Sequence, residues 1–237
     1  MAERGKKYEN VVKLLDETKA YTPDEAASLA KKMGYAKFDE TVNLSLRMGV
    51  DPRNANQQVR GVALLPHGLG KQVRVLVFAQ GESERAAQQA GADFVGSDDI
   101  IKKIEGGWLD FDIAIATPDM MGRVGRLGKI LGRRGLMPNP KAGTVVQPGD
   151  LTRAVTDARK GRVEFKLDRT SIIHVPVGKL SFEEKKLAEN ITAVIDAVNK
   201  AKPSGAKGQY FKSAYVSSAM GPGIKLDLRP ILSSKAA

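Results

Sequence analysis

The stretch VRVLVFAQGESERAAQQAGADFVGSDDIIKKIEGGWLDFDIAIA, residues 73–116, decides the fold class. Val73 to Ala79 reads as a strand, Glu82 to Ala90 as a helix and Asp93 to Val95 as a short strand. Asp98 to Glu105 then reads as a second helix and Asp112 to Ala116 as a third strand. Strands that alternate with helices in this way predict a parallel sheet covered by helices, a Rossmann-like α/β unit.

The flanking segments have a different rhythm. Upstream, Thr22-Pro23-Asp24-Glu25 is a capping box with proline at the first helical position, so a helix is expected from Pro23 to Lys32, after an earlier one from Glu9 to Thr18. From Glu40 to Met48 the apolar residues Val42, Leu44, Leu46 and Met48 alternate with Asn43, Ser45 and Arg47, the period of a half-buried strand. Gln57 to Leu65 reads as its partner. Downstream of Gly161, Arg162 to Leu167 and Ile172 to Val177 predict a hairpin around Asp168-Arg169-Thr170-Ser171. A helix capped at Ser181 should run to Lys200, followed by strands at Phe211 to Ser218 and Ile224 to Leu228. The middle block is complete as an α/β unit, whereas each outer piece lacks a full core. An α+β domain I, built from residues 1–66 and 161–237, with an inserted Rossmann-like α/β domain II of residues 67–160, satisfies both. Pro66, Gly68, Gly70 and Gly161 at the two adjacent crossings are the expected hinge.

Composition narrows the partner. The chain has 237 residues, with 38 Lys and Arg against 27 Asp and Glu, a formal charge of +11 and a pI near 9.7. Such a balance suits a polyanion, of which nucleic acid is the commonest. No apolar run approaches the roughly 20 residues of a membrane-spanning helix, and Met1 to Lys7 lacks the apolar stretch of a signal peptide, so a cytoplasmic protein is expected. With no cysteine, and only His67 and His174 as imidazoles, disulfides, thiolate metal sites and cysteine nucleophiles are excluded.

Gly122 to Lys141 carries Arg123, Arg126, Lys129, Arg133, Arg134 and Lys141 with no acidic residue, interleaved with glycines. It reads either as a solvated mobile loop or as a segment whose small residues let a basic backbone approach phosphates. The stretch from Glu82 to Asp119 is acidic, so charge is segregated. Pro66-His67-Gly68-Leu69-Gly70-Lys71 imitates a phosphate-binding loop, but Leu65 stands where the first glycine belongs and Gln72 where a magnesium-holding hydroxyl belongs. Ala79-Gln80-Gly81-Glu82 replaces the glycine-rich turn a dinucleotide requires, so no cofactor is expected. Neither histidine has triad-like neighbours, and both read as structural. Lys37-Phe38 precedes a strand with a polar outer face, and Ser217-Ser218-Ala219-Met220-Gly221-Pro222 ends another. These are ingredients of RNA recognition, although by pattern alone Phe38 reads as a core aromatic.

Phe38-Asp39-Glu40-Thr41-Val42, Pro66 to Lys71, Ala116-Thr117-Pro118-Asp119, Gly135-Leu136-Met137-Pro138-Asn139-Pro140-Lys141-Ala142-Gly143-Thr144-Val145 and Ala219-Met220-Gly221-Pro222 closely resemble the bacterial large-subunit ribosomal protein L-one family. The resemblance is collinear over nearly the whole chain. It implies the same two-domain organisation and a structural, non-catalytic protein of the large ribosomal subunit in the cytoplasm, monomeric when free. It implies binding to large-subunit rRNA to form the mobile stalk at the tRNA exit site, release of deacylated E-site tRNA, and repression through the mRNA of its own operon. Carried over residue by residue, the RNA contacts would be Lys37, Phe38, Thr41, Lys166, Asp168, Thr170, Ser213, Met220 and Gly221. Ala219 stands where the family has threonine, and Ser218 is the neighbouring hydroxyl that would compensate. The basic residues from Arg123 to Lys141 would make a secondary rRNA or tRNA contact.

Overall fold

The apolar rhythm becomes secondary structure along most of the chain, of which the computed structural model describes residues 5–16, 18–206 and 208–229. The order is α1 (Lys6–Val12), α2 (Pro23–Lys32), β1 (Thr41–Met48), β2 (Arg60–Leu64), β3 (Val75–Phe78), α3 (Glu82–Gln89), β4 (Phe94–Gly96), α4 (Asp98–Glu105) and β5 (Ile113–Ala116). Then come α5 (Pro118–Val124), α6 (Gly128–Arg134), α7 (Leu151–Arg159), β6 (Arg162–Lys166), β7 (Ile172–Lys179), α8 (Glu184–Lys200), β8 (Phe211–Ser218) and β9 (Ile224–Lys225). The fold is mixed α and β, with one parallel sheet. Its backbone falls into two compact units, Met1–Gly70 with Val163–Ala237, and Lys71–Arg162.

In the first unit an antiparallel sheet has the order β7-β1-β8-β9. Leu44 lies opposite both Val175 and Val216, so alternation in three strands is in phase. The inner face buries Val42, Leu44, Leu46, Ile173, Val175, Val177, Ala214 and Val216 against Ala26, Ala27 and Ala30 of α2 and Leu187, Ile191, Val194 and Ile195 of α8. Each such large aliphatic contributes about 1.5–3 kcal/mol by leaving water. The α2 capping box forms as expected: Thr22 Oγ1 accepts the Glu25 N–H, and Glu25 Oε2 accepts the Thr22 N–H.

Four expectations change. The 57–65 strand does not pair with β1, whose two edges are taken by β7 and β8; β2 pairs with β6 in a separate two-stranded sheet. The glycine at 61 admits the Phe165 ring there, since a Cβ would stand 2.7 Å from Phe165 Cζ. The predicted hairpin keeps its turn, but β6 and β7 diverge into different sheets, and beside the turn Leu167 bridges Ile173. Ser181 does not cap α8, which starts at Glu184 after an N-cap without a side-chain bond. The Ser181 hydroxyl instead donates to Asp39 Oδ2 at 2.8 Å. The first helix occupies Lys6–Val12 and stops short of Thr18, the chain leaving it through i→i−3 bonds from the Leu14 and Leu15 N–H groups to the Val11 and Val12 carbonyls; Glu17 lies outside the described residues.

In the second unit the parallel sheet has the order β4-β3-β5. All four residues of β3 are buried because helices cover both faces. Leu76 and Phe78 enter a core with Ile104, Met120, Leu127 and Leu131, while Val75 and Val77 enter another with Ala87, Leu151 and Val155. The 122–141 segment is largely helical, which overturns the loop reading. Val124, Leu127 and Leu131 recur at helical spacing and are buried, so α5, a 3₁₀ turn at Gly125–Leu127, and α6 are anchored to the sheet. The helix ends at Gly135, whose φ of 70° suits glycine. The backbone N–H groups of such a helix are spent internally, so only its side chains can meet phosphates. Among the described residues, no helix is long and apolar enough to cross a membrane.

Candidate nucleic-acid interface

Pairing of Val42 with Ser218 sets the loop before β1 beside the loop after β8. Phe38 on the first loop is 57% exposed and Met220 on the second 51% exposed. Phe38 is therefore not a core aromatic, contrary to the reading of its pattern alone. Lys37 is exposed beside it.

The two loops are tied by hydrogen bonds that converge on Glu40, which is 1% exposed. Glu40 Oε1 accepts the N–H groups of Tyr35 at 3.2 Å and Ala36 at 3.0 Å, and Oε2 accepts the Met220 N–H at 3.0 Å. The Tyr35 hydroxyl donates to the Met220 carbonyl at 2.8 Å. Burial pushes the Glu40 carboxyl up, but the hydrogen bonds from the Ser218 hydroxyl and from the Ala36, Met220 and Tyr35 amides outweigh it and hold the group below its usual range.

Ser218 is itself buried, and its Oγ accepts the Gly221 N–H at 3.0 Å. Its hydroxyl is thus used on both sides within the protein. Gly221 has a steric reason to be glycine, because a Cβ would lie 2.5 Å from Ser218 Oγ.

Alternate residues of the four-stranded sheet face away from the core. Ser45 lies between His174 and Tyr215, and Arg47 between Ile172 and Ser213. His174, Arg47 and Tyr215 are exposed, and Ser45 Oγ is 3.0 Å from His174 Nδ1. Lys225 follows in the same row, opposite Tyr215. Thr41 accepts a bond from Lys179 Nζ at 2.7 Å through its hydroxyl oxygen. Lys166 is exposed on β6.

Asp168 organises the turn that follows, accepting the Thr170 N–H at 2.7 Å, the Ile172 N–H at 2.9 Å and the Thr170 hydroxyl. These bonds, that of Ile172 foremost, hold its carboxyl below the usual range. Glu40 and the outward side chains His174 and Tyr215 escaped sequence reasoning. For the last two the available signal was their place in strict alternation with buried residues.

In the second unit Arg126, Lys129, Arg133 and Arg134 are exposed along α5 to α6. Arg123 is also exposed but pairs with Asp98 at 3.0 Å, which lowers its worth to a phosphate. The Lys141 side chain lies outside what the structure describes. The glycine-rich 66–71 segment is held by side chains of the protein itself. Buried Asn190 accepts the His67 N–H and donates to the Gly68 and Val177 carbonyls, while Lys71 Nζ pairs with Asp112 at 2.7 Å.

Similarity to known proteins points the same way as this geometry. The Ribosomal protein L1p/L10e family matches residues 29–222, a span holding both exposed loops and the whole parallel sheet. A Large ribosomal subunit protein uL1 from Dehalococcoides mccartyi strain 195 is 64% identical over 231 residues, covering 98% of each chain. Proteins of the same description from strains BAV1 and CBDB1 are each 65% identical over 231 residues, again 98% of both chains. With the loops, the buried cores and nearly the full length all matched, the chain belongs to the Ribosomal protein L1p/L10e family.

Proposed function

We propose that this structural, non-catalytic protein of the large ribosomal subunit binds folded large-subunit rRNA through the Phe38 and Met220 loops and the outer face of the β7-β1-β8-β9 sheet. The observation that carries the reading is the pair of large apolar side chains, each more than half exposed, on loops clamped together by buried hydrogen bonds. Free-standing apolar groups held this firmly are suited to stacking on bases and riboses. Lys37 and Lys166 neutralise phosphates, and Thr41, Thr170 and Ser213 offer hydroxyls to the RNA, with Asp168 holding the turn that presents Thr170. Gly221 lets the backbone approach closely.

The remaining roles follow from family membership. The bound protein forms the mobile stalk beside the tRNA exit site and aids release of deacylated tRNA. The exposed cations Arg126, Lys129, Arg133 and Arg134, with Arg123 and Lys141, supply a secondary rRNA or tRNA contact. Residues 1–66 with 161–237 act as the RNA-binding domain and 67–160 as the inserted one, swinging about Pro66, Gly68, Gly70 and Gly161. The same surface represses translation by binding the mRNA of its own operon, more weakly for lack of a hydroxyl at Ala219.

Filter binding to a folded large-subunit stalk fragment, with unrelated structured RNA and duplex DNA as competitors, tests the reading. Tight binding that survives both competitors and is weakened by Phe38→Ala and by Met220→Ala is expected. Binding that any polyanion removes, or that the two substitutions together leave unchanged, would refute it.

A further inference from the structure

Glu40 and Met220 lie 180 residues apart in sequence, yet both loops assigned to RNA end on the Glu40 side chain. We propose that Glu40 is a positioning residue for RNA recognition, its buried carboxylate holding the Lys37-Phe38 loop and the Met220-Gly221 loop in one arrangement before RNA arrives. The proposal rests on the RNA-binding reading above.

A buried anion beside a polyanion's site is electrostatically unfavourable for binding, so its presence calls for a geometric explanation. The donors around Glu40 supply one. Three backbone N–H groups and the Ser218 hydroxyl converge on its two oxygens. Only a group that accepts at both ends satisfies that set; a carboxamide would turn an NH₂ toward one of the donors. The Met220 peptide is gripped on both sides, its N–H by Glu40 and its carbonyl by the Tyr35 hydroxyl. The clamp reaches Gly221 through Ser218, whose Oγ accepts the Gly221 N–H. A loop ordered in advance does not have to be ordered at the expense of binding energy.

The test measures affinity of the full chain for the folded stalk fragment across a salt series, for wild type, Glu40→Gln, Tyr35→Phe and Phe38→Ala. Thermal unfolding and amide hydrogen exchange of the free proteins are followed alongside. Glu40→Gln is expected to weaken binding about tenfold, the scale of losing a charge-assisted hydrogen bond, with the salt slope unchanged because no phosphate contact is removed. Its Met220 amide should exchange faster while that of core Leu44 does not. Tyr35→Phe, which creates no buried unpaired group on the carboxylate, should weaken binding severalfold with unfolding unaltered, and it decides the matter if Glu40→Gln does not fold.

Charge alone predicts the opposite sign. Binding by Glu40→Gln as tight as wild type or tighter, or unchanged binding by Tyr35→Phe, with Phe38→Ala still impaired, would overturn the positioning role and leave the RNA site standing. Unimpaired binding by Phe38→Ala would instead remove the site assignment itself.

Discussion

The Gly221 N–H donates to Ser218 Oγ at 3.0 Å, and a methyl group on Gly221 would meet that same oxygen at 2.5 Å. The hydrogen bond and the missing side chain are therefore one requirement. Gly221→Ala is expected to push the loop off Ser218 and cost on the order of 1–3 kcal/mol in RNA affinity, by analogy with the loss of one well-packed contact. Titration with the stalk fragment checks it, and affinity equal to wild type would mean the loop can yield without harm.

Ala219 is exposed at the tip of the same loop, and Ser218 is too buried to replace a hydroxyl there. Ala219→Thr should strengthen binding by about 0.5–1.5 kcal/mol, the net value of one hydrogen bond, more visibly for the mRNA site than for rRNA. Side-by-side affinities for the two RNAs measure this. No gain with either would show that the hydroxyl has no partner in these complexes.

Lys37 is exposed and stands next to Phe38. Lys37→Ala is expected to reduce the slope of log K against log salt by roughly 0.7–0.9, the value of one phosphate contact. A lower affinity with the full slope retained would instead place Lys37 on a base or ribose.

The Asp168 carboxyl is held below its ordinary 3.8 first by the Ile172 N–H and then by the Thr170 hydroxyl, against a smaller opposing effect of burial. A group whose pKa is lower folded than unfolded adds stability that is full above the unfolded value and is lost as pH falls through the folded one. The stability lost on Asp168→Asn should thus be constant above about pH 5 and shrink as the pH falls below 3.8. Urea unfolding at a series of pH values reads the difference, and a gap that widened in acid would contradict the sign.

Leu131 is fully buried on α6. Leu131→Ala should destabilise the second unit by about 2–5 kcal/mol. Trp108, the chain's single tryptophan, packs edge-on against Phe94 at 4.8 Å in that unit and reports its unfolding. An unfolding midpoint unmoved by the substitution would restore the solvated-loop view of 122–134.

Much of the architecture was legible because short-range periodicity is written in adjacent residues. Val42, Leu44, Leu46 and Met48 alternate in the sequence and are the buried positions of β1, and Thr22 with Glu25 forms the cap its spacing announces. The family's motifs marked Phe38 and Met220, which the structure leaves exposed. Partner choice was less legible. Nothing local to residues 57–65 says that both edges of β1 are taken, and nothing local to Gly122–Arg134 weighs its nine charged or glycine residues against three buried apolar ones.

Sequence alone determined most of the element types outside 118–159, the net charge of +11 and the family, since each is carried by residue identity and near-neighbour spacing. Tertiary structure alone decided that Glu40, Tyr35, Ser218 and Met220 meet. Their segments are separated by most of the chain and brought together where β1 pairs with β8. Hydrogen bonds act over about 3 Å in space, and no spacing along the chain encodes which distant donors a buried carboxylate will find.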